Sequence, residues 1–363
     1  MQYRIIDADS HVNEPADVWQ SRVPVRLREM APKMVTMDDG KIGWSFEGGK
    51  RFWRVTTATA GISEAEYTAS GVTYDQIRPG SYDARARLEE MEYDMIQAQV
   101  LYPSVPGSGG DRELQQACGQ AYNDWVHEFC SPSPDRLIGL PQAPGTGIED
   151  VMGEWHRVSK RGDRGFVIKS YPNGGLLPAP EDERFWSEVQ EWEYPIHIHF
   201  GFAGGLNLTS TTGVGYLASA GLIDMGLGVY RPLAEMVYGG LFERFPKLKI
   251  VAVETGVGWI PHYLETLDDN FLRRRFRAGV HLKEMPSEYF KRHVWTTFIN
   301  DPHGLENRHR FNVDHIMWST DYPHTNSNWP NSQRTIAYEF RNVPDEDRKK
   351  ILCDNARKLY HLG

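Results

Sequence analysis

Four places in this 363-residue chain bring acids and imidazoles together at spacings that suit a metal ion. Near the start, Asp7-Ala8-Asp9-Ser10-His11 alternates acid with small residue, and Glu14 follows three positions later. In a strand, Asp7, Asp9 and His11 would share one face, so Asp9 and His11 could reach one ion together. His197 and His199 repeat the same spacing in PIHIHFG. Glu254 follows the apolar run KIVAV, and Asp321 stands in STDYPH with His324 three residues on. Taken singly, an Asp after a strand is a helix cap and a lone His is a core or surface residue. Four such places are hard to explain as capping, because unpaired buried carboxylates are costly and a cation compensates them.

Such groups converge only if the chain carries them to one rim. Eight short apolar runs recur along it: YRIIDADSH (3–11), AQVLYPS (98–104), LIGLPQA (137–143), GFVIKS (165–170), PIHIHFG (195–201), KIVAVETG (249–256), HVWTTFI (293–299) and HIMWSTDY (315–322). Between them lie amphipathic stretches, such as 85–97 with Leu88, Met91 and Met95 on one stripe. The tail 345–362 is acidic first and basic later, as the helix dipole favours. Apolar runs separated by helical patterns mark a parallel sheet covered by helices. The reading is an α/β chain, one (β/α)8 TIM-barrel domain over residues 1–363, with the acids and imidazoles at the C-terminal ends of its strands. Residues 20–82 break the rhythm with turn pairs Asp39-Gly40 and Gly48-Gly49, and are expected to form an insertion capping the barrel mouth. The glycine-rich stretch 200–229 is a candidate lid.

The order of these motifs resembles the amidohydrolase superfamily. More narrowly it resembles the amidohydrolase-related branch that includes aminocarboxymuconate semialdehyde and aromatic acid decarboxylases. IIDADSHVNEP, GLFERFPKLKIVAVETGVGWIP, MWSTDYPH and ILCDNARKLY carry the likeness, which spans the chain. The resemblance implies a divalent metal on Asp9, His11, His199 and Asp321, where the aspartate after strand 8 either binds metal or also serves as the base that activates metal-bound water. Two positions depart from the pattern: Asp9 replaces the first His of the usual His-x-His, and Glu254 replaces the usual strand-6 His. With Glu14 counted as a further candidate ligand, four carboxylates join two imidazoles. That oxygen-rich set suits Mn or Fe better than Zn. Four carboxylates also exceed what one dication needs, so one or two ions per chain are expected, Glu254 binding, bridging or acting as general base. Some family members carboxylate a lysine at the position of Lys169, although a salt-bridged lysine is an equal reading. Asp301-Pro302 is expected to cap a turn. His197 is a supporting or core residue, and His324 contacts substrate or completes a second metal site. Trp44 and Trp53 are candidates for lining a pocket, whereas Trp259 is expected in the core.

The functional expectation is hydrolysis or non-oxidative decarboxylation of a small organic molecule, apolar or aromatic. Metal-activated water and the groups Asp321, Glu254 and His324 would carry it. The rival is a dinuclear non-haem iron or iron–manganese oxygenase on the same fold. A third reading, a non-catalytic barrel subunit, is weakened because every candidate ligand is present. A net charge of −9 gives no footprint for nucleic acid. No apolar run approaches a membrane span, and Cys118, Cys130 and Cys353 are too scattered for a disulfide framework, so a cytoplasmic, oligomeric enzyme with reduced thiols is expected.

Overall fold

The computed structural model describes residues 4–38, 40, 42–54, 58–63, 76–105, 107, 109–204 and 226–363. All eight apolar runs form strands: β1 (Ile5–Val12), β5 (Ile96–Pro103), β6 (Leu137–Gly139), β7 (Phe166–Ile168), β8 (Ile196–His199), β9 (Ile250–Val253), β10 (Val294–Phe298) and β11 (Ile316–Trp318). Every pairing between them is parallel, in two ladders ordered β1-β5-β6 and β7-β8-β9-β10-β11. Two seams close the barrel. Val167 N–H donates to Pro141 O at 2.9 Å and joins β6 to β7. Asp321 N–H donates to Asp9 O at 2.9 Å, and His11 N–H donates to Tyr322 O, joining the end of β11 to β1.

Inside the barrel, Ile6, Ala8, Ala98, Val100, Ile138, Val167, Val251, Val253 and Met317 fill the interior. The C-terminal segment seals the opposite end from the site. Asn355 Nδ2 donates to Ile316 O at 2.8 Å, and Leu359, Tyr360 and Leu362 pack against the interior residues. Helices such as Ala84–Tyr93, Arg112–Cys130 and Ile148–Arg161 cover the outside. Asp83 and Asp111 cap the first two by accepting from Ala86 and Leu114 N–H groups.

The insertion is a small antiparallel sheet of β2 (Lys33–Thr36), β3 (Ile42–Phe46) and β4 (Arg51–Arg54). Gly48 and Gly49 turn β3 into β4 with φ of 67° and 95°, a region glycine enters without strain. Trp44 is fully buried edge-to-face with Trp19, so it packs the insertion rather than lining a pocket. Most of the glycine-rich stretch 200–229 lies outside the described residues, and so does Asp39. All three cysteines are buried thiols, none in a disulfide. No helix among the described residues is long and apolar enough to cross a membrane.

Candidate metal centre

Simple alternation along β1 fails at its most informative point. Asp7 pairs with Gln99 and Ser10 with Leu101, so two residues, Ala8 and Asp9, stand opposite the single residue Val100. This bulge shifts the phase of the strand. Asp7 stays on the helix-facing side with Gln99, whereas His11 falls beside Tyr102 on the inner side. The expectation that Asp7, Asp9 and His11 share one face is therefore corrected: Asp7 is not in the cluster. Its oxygens instead accept from Asp9 and Thr320 N–H, from the Ser10 and Thr320 hydroxyls, and from Gln99 Nε2.

Asp9, His11, His199, Glu254 and Asp321 do converge. His11 Nε2 lies 3.6 Å from Asp9 Oδ1 and 3.5 Å from Asp321 Oδ1. His199 Nε2 lies 3.9 Å from Asp9 Oδ1 and 3.5 Å from Glu254 Oε2. Donor atoms each about 2.0–2.2 Å from one ion stand about 3–3.6 Å apart, close to these spacings. Asp9 Oδ1, His11 Nε2, His199 Nε2, Glu254 Oε2 and Asp321 Oδ2 are all buried without a hydrogen-bond partner. A buried polar group left this way is costly, and a cation would compensate the five together. The residues present fit a divalent metal.

Local structure holds each group in place. His11 Nδ1 lies 3.1 Å from Pro103 O and must donate to it, which leaves the Nε2 lone pair for a ligand. Burial, then the neighbouring His324 and His199, keep His11 neutral by lowering its pKa well below the usual range. Glu254 directly follows β9 and Asp321 lies three residues beyond β11, at φ of 58° and 56°, left-handed conformations that are strained for residues with a Cβ and recur at functional sites. Asp301 holds the loop after Glu254 by accepting from Val257 and Gly258 N–H at 2.7 Å each, as well as capping its own helix through Gly304. Its turn-capping expectation thus extends to bracing the site. Burial pushes the Glu254 carboxyl well above the ordinary range, with the Asp321 and Asp9 charges adding to it. Asp321 is raised by burial and by the charges of Asp9 and Asp7.

His324 Nδ1 sits 2.8 Å from Asp321 Oδ1, and its Nε2 lies 3.2 Å from the Ser104 hydroxyl. His11, Asp321 and His324 form a second group whose ligand atoms lie within 4.8 Å of one another. Glu14 does not join either group. Its Oε2 accepts from Val105 N–H at 3.0 Å, on the loop after β5, because the chain has left β1 by that residue. His197 lies in the barrel interior with Tyr102 OH 2.6 Å from its Nδ1, and burial lowers it to about 3. Trp259 donates to Thr255 and Gly256 carbonyls and packs on Tyr263, partly buried at the edge of the core rather than within it as expected. The spacing arguments passed over Thr297 and Ser104. The Thr297 hydroxyl accepts from Glu254 N–H at 2.8 Å and donates to Asp9 Oδ2 at 3.4 Å. The only sign of it is a polar pair inside the apolar run HVWTTFI.

Beside the cluster opens a cavity of about 380 Å³, lined by His11, His199 and His324 on one side and by Trp53, Phe200 and Phe202 among its apolar walls. Lys169 lines it too. The arrangement can hold a cation and place a flat apolar molecule against it.

Residues 7–362 match the family model described as Amidohydrolase. Over 72% of its length the chain is 24% identical to 72% of the 2-amino-3-carboxymuconate-6-semialdehyde decarboxylase of Dictyostelium discoideum. Among solved structures it resembles an amidohydrolase from Mycobacterium avium subsp. paratuberculosis, with TM-score 0.77 and 20% identity over the whole of both chains. It also resembles the 5-carboxyvanillate decarboxylase of Novosphingobium aromaticivorans, complexed with manganese and 4-hydroxy-3-methoxy-5-nitrobenzoic acid, with TM-score 0.71 and 19% identity over 99% of this chain and 97% of that one.

Proposed function

The chain belongs to the amidohydrolase family and is an enzyme of that type, and from this premise we propose that it is a metal-dependent, non-oxidative decarboxylase of small aromatic carboxylic acids. The observation that carries the proposal is the set of five unpartnered buried donor atoms facing an aromatic-walled cavity. The decarboxylases among the relatives add support for loss of carbon dioxide.

In this reading Asp9, His11, His199 and Asp321 hold a divalent metal, manganese being favoured by the oxygen-rich set and by its presence in the 5-carboxyvanillate enzyme. When bound, the metal supplies a Lewis acid that draws in the substrate carboxylate and lowers the energy of negative charge on the reacting molecule. The protein's own part is to place the ring and manage one proton. Trp53, Phe200 and Phe202 fix the plane of the ring and keep water from the reacting carbon. The bond from ring carbon to carboxylate breaks, its electron pair stays on the ring, carbon dioxide leaves, and a proton joins the same carbon. Glu254, beside His199, and Asp321, steadied by His324 Nδ1, are the groups that can carry that proton. Neutral imidazoles at His11 and His324, the latter lowered to about 4 by burial, keep added positive charge away from the metal position.

The test is carbon dioxide release by manganese-loaded protein from a panel of hydroxylated benzoates and benzene dicarboxylates. Release from at least one member, lost on chelation, is the expected outcome. Amide or ester hydrolysis with no carbon dioxide from any acid would overturn the assignment.

A further inference from the structure

Lys169 has no place among the converging donors, yet its surroundings are those of a recognition group. It follows β7, whose three residues are buried, and is itself an exposed residue that lines the cavity. Among the described residues lining that cavity it is the only lysine or arginine.

Behind it lies a second cavity of about 270 Å³, walled by Trp19, Tyr122, Gln142 and Pro144 among others. Lys169 and Val105 line both cavities, so Lys169 stands at the joint between them. Its Nζ reaches toward Gly107, lying 4.0 Å from the point where a side chain there would begin. Gly107 itself lines the second cavity, so the ammonium marks the entrance to it.

Nearby charges leave this cation available. The carboxyl of Glu14 is fully buried, and burial pushes it up to about 8, so near neutral pH it is largely protonated. Desolvation by neighbouring atoms lowers the Lys169 ammonium and Glu14 opposes it, and because the residue stays open to solvent it is largely charged near neutral pH. Arg51, the other cation it feels, is engaged: it donates to Gly107 O at 2.8 Å and lies over the Phe46 ring. An ammonium at an apolar-walled cavity offers an anionic ligand group a charge-assisted hydrogen bond.

We propose that Lys169 is a specificity-determining residue that receives a second carboxylate of the substrate, at the joint between the two cavities. The preferred substrates are then aromatic dicarboxylates, one acid group at the metal and the other at Lys169. This inference rests on the reading that the cavity binds an aromatic carboxylate, and its test does not require turnover.

Binding of benzoate and of benzene-1,3-dicarboxylate to manganese-loaded protein is measured by calorimetry for the wild type, Lys169→Met and Lys169→Arg. The wild type binds the dicarboxylate at least about tenfold more tightly, a difference of about 1.4 kcal/mol. Lys169→Met reduces that preference to within about twofold, while Lys169→Arg keeps most of it. Benzoate affinity and bound metal stay unchanged in both variants. Should Lys169→Met fail to fold, Lys169→Gln is judged by the same criterion. A preference that survives the methionine or glutamine variant, or is absent from the wild type, overturns the proposal. Loss of metal from Lys169→Met also overturns it, because the lysine then belongs to the metal centre. If no acid releases carbon dioxide yet the preference exists and depends on Lys169, the decarboxylase assignment fails and the anion site stands.

Discussion

Two aspartates two residues apart on β1 meet opposite fates. Asp7 and Asp9 are both fully buried. Around Asp7 every feature is protein: two N–H groups, two hydroxyls and an amide donate to its oxygens. Burial still pushes it up to about 6, but those hydrogen bonds oppose the rise. Around Asp9, Oδ1 faces the Nε2 atoms of His11 and His199 at 3.6 and 3.9 Å and has no hydrogen-bond partner of its own. The bulge at Ala8-Asp9 is what separates them, by turning one carboxylate outward to the helices and the other inward to the mouth. The pair teaches that a buried acid is structural when its oxygens are already engaged, and functional when only an incoming cation can engage them.

Three substitutions can break or sharpen that contrast. His199→Ala removes one of the five open donor atoms. Bound metal should fall well below one ion per chain by elemental analysis, and turnover should drop on the order of a thousandfold or more. Unfolding of the metal-free variant should be no easier than that of the parent. Full metal content in this variant would remove His199 from the site. Glu254→Gln keeps the shape and removes a charge. If Glu254 binds or bridges metal, metal content falls and activity drops on the order of a hundredfold. The metal-free protein should at the same time gain thermal stability, because Glu254 no longer crowds Asp9 and Asp321. Unchanged metal with a slower rate and a flattened pH dependence would make it a proton carrier instead. No change in either quantity would set Glu254 outside the site. Asp7→Asn is the inverse case. It should leave metal stoichiometry intact and cost about 2 kcal/mol in denaturant unfolding, a factor of about thirty in the folding equilibrium. A loss of metal without a loss of stability would erase the distinction between the two acids.

Much of this was legible in the residues, for a physical reason. Strands buried on both faces must be apolar throughout, so all eight barrel strands announced themselves as short runs, and the acids at their ends stood out against them. What the sequence hid was phase and partnership. The bulge on β1 is a backbone event with no residue signature, so alternation carried Asp7 into the wrong company. Glu14 looked like a ligand by proximity in sequence, but β1 ends at Val12 and the chain turns Glu14 toward Val105. Trp44 and Trp53 read alike, yet in an antiparallel sheet they stand opposite each other, Trp44 packing on Trp19 while Trp53 reaches the cavity wall. Thr297 was invisible because a hydroxyl between two carboxylate-bearing strands matters only once those strands are neighbours.

The seam between β1 and β11 has a consequence for how the protein is made. Asp9 and His11 are synthesised some 310 residues before Asp321. Until then the first strand has no neighbour on that side, and its two donors face solvent rather than one another's complements. Barrel closure at Asp9 O and His11 N–H and assembly of the ion site are thus the same late event, a long-range contact that slows folding in proportion to the chain that must wait for it. A nascent chain truncated before residue 316 carries four of the five converging donors and lacks Asp321 and the closing seam. In the proposed reading the ion would act as a clasp between β1 and the segment after β11, and could be held in full only once both are made.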